Sequence, residues 1–354
     1  MARSRSSLGI FTPLMLILVA GLTWGAAWFF LANVAEDRIA DTLKQASARG
    51  WTLSCGDQAL GGFPFRIEFD CNAPQLAIET ARSRVTVKSQ QLKLVALVYN
   101  LDQGIAEVAG PTTIETFQLG GVRRTYSLRT DSARASVEFI EGDAIAVSAV
   151  LSKVNAEIPT LDLLNDGSTS TYVADRAAFH LRQAIAKTDV LDLALTLDNS
   201  RLAGELSGIF FEVPELTAKT VDFLGQMTKK NVLRSGSFTD NAVLWQAAGG
   251  EMQIQRFKIE APALDVEVSG VGRLDNSGKA EGKFKGVFGK LKQLIKDLKS
   301  RGVLNDDGAR LAAGAVGLLA RPVKGSARVE LPVSVTAGEV FLGPLRTMVL
   351  PPVF

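Results

Sequence analysis

The sequence is poor in the side chains that most catalytic centres need. Its 354 residues include one histidine, His180, and two cysteines. Zinc needs clustered Cys and His ligands, and the nucleophile elbow of a serine hydrolase needs a G-x-S-x-G turn, which does not occur. P-loop and G-x-G-x-x-G motifs are also missing. His180 alternates with apolar residues, which predicts a surface position on a strand. We therefore expect no metal, no cofactor and no enzymatic activity.

An excess of charge of either sign is lacking too. The chain has 39 basic and 37 acidic residues, so its net charge is +2. This balance predicts no nucleic-acid partner. Hydrophobic residues make up 47% of the chain and aromatic residues only 7%, which is typical of a large core with many turns. A carboxylate-dependent hydrolase stays open as the enzymatic alternative, because sequence spacing does not reveal paired carboxylates.

What the sequence does contain is one long apolar run near its N-terminus. No charged side chain occurs between Ser6 and Ala35. As a helix, residues 10–34 would measure roughly 37 Å, which exceeds a hydrocarbon core of about 30 Å. Because Arg3 and Arg5 precede the run, the positive-inside rule predicts a cytoplasmic tail at 1–9 and a body on the far side. A cleaved signal peptide is the alternative, although its apolar region is usually shorter.

Cys55 and Cys71 lie in the part predicted to be exported. Two exported cysteines without a third competitor usually form a disulfide. The intervening residues read as a turn at Gly61-Gly62 followed by a strand in which Phe65, Ile67 and Phe69 alternate with charged residues. The spacing therefore predicts a stapled hairpin. A redox role would require a C-x-x-C pair or a lone activated thiol, and the sequence has neither.

The rest of the chain is predicted to be rich in strands. A helical stalk over 35–50 precedes a β-rich body over 51–354, with turns at 198–200 and 275–278. Helices are expected at 214–230 and 239–248, and as a C-terminal helical hairpin at 287–320. The predicted fold is an α+β protein with a single N-terminal transmembrane helix, followed by a large, mostly antiparallel, curved sheet covered by several helices.

A basic amphipathic pattern occupies residues 283–301. Its lysines accompany an apolar stripe that begins with Val287 and Phe288. Such a helix can lie on an anionic membrane surface or pack on the sheet with its lysines in water. The packed arrangement is favoured because the next helix offers apolar partners, namely Leu311, Ala315, Leu318 and Leu319.

Two sequence elements carry a family resemblance. They are Gly-Gly-Phe-Pro-Phe-Arg at Gly61 to Arg66, near the cysteines, and Gly-Glu-Val-Phe-Leu-Gly-Pro-Leu at Gly338 to Leu345. With the anchor, they make the chain resemble domain-of-unknown-function family 2125 of alphaproteobacterial inner-membrane proteins. That resemblance implies a bacterial inner membrane and a periplasmic body, and no catalytic residues. The run of amphipathic strands is also similar to AsmA-like envelope proteins, which implies lipid handling.

Two sets of residues are candidates for binding. Phe63, Phe65 and Arg66 either bind a ligand or form a tight turn whose phenylalanines pack in the core. Leu191, Leu193, Leu195 and Leu197 alternate with polar residues and predict one strongly apolar sheet face. If helices cover that face, the protein is a protein–protein scaffold with a sealed core; if not, a lipid or another apolar ligand binds there. The sealed case is expected, with the lipid bilayer, lipids and envelope proteins as partners.

Overall fold

The computed structural model describes residues 8–48, 50–80, 83–118, 123–140, 143–159, 169–185, 187–204, 215–234, 238–262, 264–300, 305–323, 325, 327–343 and 345–354. The chain divides into two compact units. Unit 1 contains Met1–Arg124 and Ser136–Ile140, and unit 2 contains Thr125–Ala135 and Glu141–Phe354. Arg3 and Arg5 lie outside the described residues, so the structure does not bear on their role.

Helices are few. The described α-helices are α1 (Leu8–Ala48), α2 (Phe238–Ala247), α3 (Leu291–Ser300) and α4 (Asp306–Leu319), with a short 3₁₀ helix at Lys230–Val232. Asn305 caps α4 because its side-chain oxygen accepts a hydrogen bond from Gly308 N at 2.7 Å. The helices predicted at the stalk and at 239–248 are confirmed. The stalk and the apolar run form one continuous helix, because α1 has no break.

Unit 1 is built from strands that pair antiparallel. They are β1 (Trp51–Ser54), β2 (Asp57–Gly61), β3 (Arg66–Asn72), β4 (Gln75–Glu79), β5 (Ser83–Lys88), β6 (Gln91–Leu97), β7 (Asn100–Ala109) and β8 (Thr112–Gln118), while β9 (Arg123–Arg129) and β10 (Ser132–Ile140) have residues in both units. One set pairs in the order β1, β4, β5, β8, and the other in the order β2, β3, β6, β7.

Unit 2 contains an antiparallel meander from β11 to β17, in which each strand pairs with the next one along the chain. Its strands are β11 (Asp143–Pro159), β12 (Thr169–Ala184), β13 (Lys187–Ala203), β14 (Glu215–Thr228), β15 (Met252–Glu260), β16 (Asp265–Leu274) and β17 (Ala280–Gly289), then β18 (Arg321–Pro322), β19 (Val329–Thr336), β20 (Glu339–Leu342) and β21 (Leu345–Val349). Consecutive pairs from β11 to β17 are antiparallel, and β17 then pairs with β19. The predicted β-rich fold with a large antiparallel sheet is confirmed.

The helix predicted at 214–230 is wrong, because residues Glu215–Thr228 form strand β14. Its apolar residues Val221, Leu224 and Met227 fit a helical period by coincidence. Val221, Phe223 and Met227 alternate with mostly polar neighbours, as in a strand, and both edges of β14 find partner strands. This segment therefore extends the sheet instead of covering it.

Two further boundaries differ from the prediction. The C-terminal helical hairpin begins at Leu291, and Val287 and Phe288 belong to β17, where they pair with Glu330 and Val329. The turn predicted at 198–200 is wrong because these residues lie inside β13, with Asn199 in the left-handed region at φ 47°. The turn predicted at 275–278 is confirmed: Asp275 accepts hydrogen bonds from Ser277 N and Lys279 N at 2.8 and 2.9 Å.

Candidate functional site

After Trp28 the chain runs away along helix α1 and then returns along strands β1 and β2 over a similar distance. From Trp28 to Ala48 the helix advances about 30 Å, at roughly 1.5 Å per residue. Strands β1 and β2 then lead back over residues 51–61, which measure about 33 Å at roughly 3.3 Å per residue. The turn at Gly61 to Arg66 consequently lies beside the helix segment that contains Trp24 and Trp28.

Two tryptophan hydrogen bonds fix this turn to the helix. Trp24 Nε1 donates to the Pro64 carbonyl at 2.9 Å, and Trp28 Nε1 donates to the Arg66 carbonyl at 3.0 Å. The Trp28 and Phe63 rings meet edge to face with centroids 5.4 Å apart. Trp28 is only 6% exposed, although it belongs to the apolar run. The end of the apolar run is thus a packed part of unit 1.

The expectation that Phe63 and Phe65 pack in the core is wrong. Their exposed fractions are 56% and 60%, and their ring contacts are with Trp28 and Trp24. The sequence pattern alone could not reveal this, because the partners lie about 40 residues earlier in the chain. The alternation predicted for the following strand is confirmed, since Ile67 and Phe69 are buried.

The predicted disulfide is present. Cys55 and Cys71 are joined with a Cα–Cα distance of 5.4 Å, and Cys71 is completely buried. The bond lies next to the β2–β3 pairing, in which Asp57 faces Asn72. It therefore ties the end of β1 to β3 and holds the return path that brings the turn at Gly61 to Arg66 back to α1.

The four leucines of β13 lie on one face of the sheet in unit 2, as predicted. Leu193 faces Leu181 of β12 and Gly225 of β14, and Leu195 faces Phe179 and Phe223. The rows of facing apolar side chains continue into β15 and β16. We call this surface the apolar face; it consists of Ala177, Phe179, Leu181, Leu191, Leu193, Leu195, Leu197, Val221, Phe223, Met227, Met252, Ile254, Phe257, Ile259, Val266 and Val268.

Among the described residues, the helices that pack on the apolar face do so near its C-terminal strands. There Val266, Phe288, Leu331 and Val333 form a buried cluster, against which Leu291 of α3 and Val316 of α4 pack, together with other half-buried apolar residues. At β12 and β13 the burial is incomplete. Leu193, Leu195 and Leu197 are half-buried, and Phe179 is 38% exposed. The segment expected to cover these strands, 214–230, is β14 itself.

The packing predicted between α3 and α4 is correct for the helices but wrong for two leucines. The helices contact each other, yet Leu311 and Leu318 are strongly exposed. Instead Ala309 is buried and Val316 packs toward the sheet. The side chains of Ala315 and Leu319 lie outside the described part of the chain.

The opposite face of the same strands is polar and carries ion pairs. Arg182 faces Asp192 with N and O atoms 3.1 Å apart, and Arg256 lies 2.8 Å from Asp222. His180 is exposed on this face, where its Nδ1 is 2.9 Å from Ser148 Oγ. These contacts are typical of a solvated sheet surface. They place charge away from the apolar face.

The carboxylates with shifted pKa values lie in surface contacts. The hydrogen bond from Lys153 and then that from Asn199 lower the pKa of Asp175, and the hydrogen bond from Lys219 lowers the pKa of Glu260. The backbone N–H of Lys279 lowers the pKa of Asp275. Lowered values favour the charged form, as expected for structural pairing. Among the described residues, no three His, Cys, Asp or Glu side chains group in a way that could hold a metal ion.

The comparisons with known proteins identify a family. The family model described as an uncharacterised protein conserved in bacteria, domain-of-unknown-function family 2125, matches residues 28–351. Because this match covers most of the chain, the protein belongs to that family. No curated protein and no solved structure matches.

Proposed function

We propose that this protein is a non-enzymatic, inner-membrane-anchored envelope protein whose apolar face in unit 2 binds a lipid chain. The observation that carries the proposal is the incomplete cover of that face at β12 and β13. Phe179, Leu193, Leu195 and Leu197 would otherwise leave an apolar surface in water, which soluble monomers keep small. A lipid chain removes that surface from water without requiring any catalytic group.

The dimensions of the face support an acyl chain as the occupant. From Leu193 to Leu197 the half-buried leucines extend over about 13 Å, at roughly 3.3 Å per residue. An acyl chain spans half of a hydrocarbon core of about 30 Å, or about 15 Å. The charged side chains next to this row, Arg182 and Asp192, lie on the opposite face. Along residues 193–197 an acyl chain would therefore lie on apolar side chains of β12, β13 and β14.

Retention of α1 as a membrane anchor is the second part of the proposal. Within the described residues, α1 is the helix long and apolar enough to cross a membrane. A signal sequence would satisfy the same length and composition. The contacts of Trp24 and Trp28 with the turn at Gly61 to Arg66 favour retention, because cleavage after the apolar run would remove both hydrogen bonds. The disulfide is in accord with an oxidising compartment such as the periplasm.

The lipid proposal predicts a face-specific photochemical result. We would replace Leu195 by p-benzoylphenylalanine in the full chain, irradiate intact cells and examine the purified protein by mass spectrometry. A mass increase equal to one phospholipid or fatty acid is expected, because Leu195 lies on the apolar face. Leu224 is the matched control, since it is a leucine on the neighbouring strand that pairs with Ala194 and Arg256 on the opposite face.

The outcome at these two positions separates the alternatives. A lipid adduct at 195 and not at 224 supports lipid binding. A protein adduct at 195 would favour the scaffold function, and the lipid proposal would then fail. Equal lipid adducts at both positions would mean that the reagent reports nonspecific contact with the bilayer, which would also remove the support for a dedicated face.

A topology measurement tests the location of the body. A reporter active only outside the cytoplasm, fused after Phe354, is expected to be active, because Arg3 and Arg5 retain the N-terminus inside. Moving positive charge to the other flank of the apolar run, with Glu36→Lys and Asp37→Lys in a chain that also carries Arg3→Ala and Arg5→Ala, is expected to reduce that activity. Activity of a cytoplasm-only reporter on the unaltered chain would refute the placement.

A further inference from the structure

Unit 1 presents three large exposed side chains in turns at one end of its strands. The exposed fractions of Phe63, Phe65 and Tyr99 are 56%, 60% and 73%. Val98 N donates to the Phe65 carbonyl at 3.1 Å, so the turn that carries Tyr99 lies next to the turn at Gly61 to Arg66. We call these three residues the apolar edge. They belong to turns, where polar residues are the rule.

The position of the apolar edge along α1 can be derived from the length of the span. A helix needs about 20 residues to cross the hydrocarbon core, and the anchor over 10–34 supplies that number from Ile10 to Phe29. Trp24 and Trp28 therefore lie at the C-terminal end of the span, where aromatic residues concentrate at the membrane–water interface. The turn that carries Phe63 and Phe65 is hydrogen-bonded to these two tryptophans.

We infer that the apolar edge lies in the bilayer interface beside α1, so that unit 1 contacts the membrane directly. This inference rests on the retained anchor of the proposed function. Phe29 of α1, whose ring meets that of Trp28 at a centroid distance of 5.2 Å, is exposed as well and extends the same aromatic group. Tyrosine suits the interface because its ring is apolar and its hydroxyl is polar. The occupant is the lipid of the membrane that α1 spans.

The test is photo-crosslinking of the full chain reconstituted into phosphatidylethanolamine–phosphatidylglycerol vesicles. p-Benzoylphenylalanine would replace Phe63, Phe65 or Tyr99 one at a time, and lipid adducts would be measured by mass spectrometry. Ile17, exposed within the apolar run, is the positive control. Trp51 is the matched negative control, because it is an exposed aromatic residue of the same unit that follows the far end of α1. That end lies about 30 Å along the helix from Trp28.

Lipid adducts at 63, 65 and 99 in yields similar to that at position 17, with no adduct at 51, would support the inference. Adducts at 17 with none at 63, 65 or 99 would overturn it and leave the anchor standing. No adduct at 17 would overturn the anchor and this inference together. The lipid-binding face is tested separately at position 195, so its result does not depend on any of these outcomes.

Discussion

Replacing Cys71 by serine is expected to lower the free energy of unfolding by about 2–5 kcal/mol. The disulfide closes a loop with a sequence separation of 16. Loss of that loop raises the entropy of the unfolded chain, an effect of about 3 kcal/mol in the chain-entropy model. Cys71 is also completely buried, so a serine hydroxyl there would lack water as a partner. Cys55→Ser, at a half-buried position, should cost less than Cys71→Ser.

Chemical denaturation of the full chain, followed by tryptophan fluorescence, would measure these differences. The double variant should cost little more than Cys71→Ser alone, because both substitutions remove the same bond. Costs that add would show that the two cysteines act independently. Reaction of the native, unreduced protein with a thiol reagent would contradict the bond itself.

Replacing Phe288 by alanine is expected to destabilise unit 2 by about 3–5 kcal/mol. Phe288 is 5% exposed and lies in the cluster with Val266, Leu331 and Val333 that α3 and α4 cover. Its removal leaves a cavity as well as lost hydrophobic burial. Phe179→Ala is the matched control, because Phe179 lies on the apolar face but is 38% exposed, so its loss should cost only about 1 kcal/mol.

Comparison of the two variants in the absence of added lipid tests whether the face is open. Denaturation midpoints measured in the same detergent would give the two differences in stability. Similar large costs for Phe179→Ala and Phe288→Ala would mean that both ends of the face are sealed, and the lipid proposal would lose its basis. A small cost for Phe288→Ala would instead contradict the buried cluster.

Local sequence patterns predicted the strands well where one face is apolar and the other polar. The leucines of β13 are the clearest case, because alternation over residues 191–197 specifies both the strand and its orientation. The helix predicted at 214–230 was wrong for a related reason. Its apolar residues satisfy a period of two and nearly satisfy a helical period, and the partner strands β13 and β15 decide between them.

Turn signals were less reliable. The tetrapeptide Leu-Asp-Asn-Ser occurs at Leu197 to Ser200 inside a strand and at Leu274 to Ser277 in a tight turn. Asn199 adopts φ 47° within β13, which a turn-forming residue tolerates without ending the strand. In the second copy, Gly278 at φ 73° and the hydrogen bonds of Asp275 reverse the chain. The residues that follow the tetrapeptide therefore decide its structure.

The contact between α1 and the turn at Gly61 to Arg66 could not be predicted from periodicity. Its two tryptophans precede its two phenylalanines by about 40 positions. Judged from its neighbours alone, each of these residues is predicted to lie in the membrane or in the core. The lengths of the predicted helix and strands nevertheless indicate that the chain returns to α1. The helix from Trp28 and the strands that follow cover similar distances in opposite directions, about 30 Å and about 33 Å. A disulfide between Cys55 and Cys71 then fixes the register of the return.

The meander of unit 2 has a consequence for the order in which the chain can fold. From β11 to β17 each strand pairs with its neighbour in sequence, so a newly delivered strand finds its partner already in place. Such local pairing lowers the entropy cost of closing each loop and favours rapid folding. The strands can thus be added in sequence order, from β11 to β17. Strand β19 adds Leu331 and Val333 to the cluster around Phe288, so that cluster can form only after the chain has been completed as far as β19.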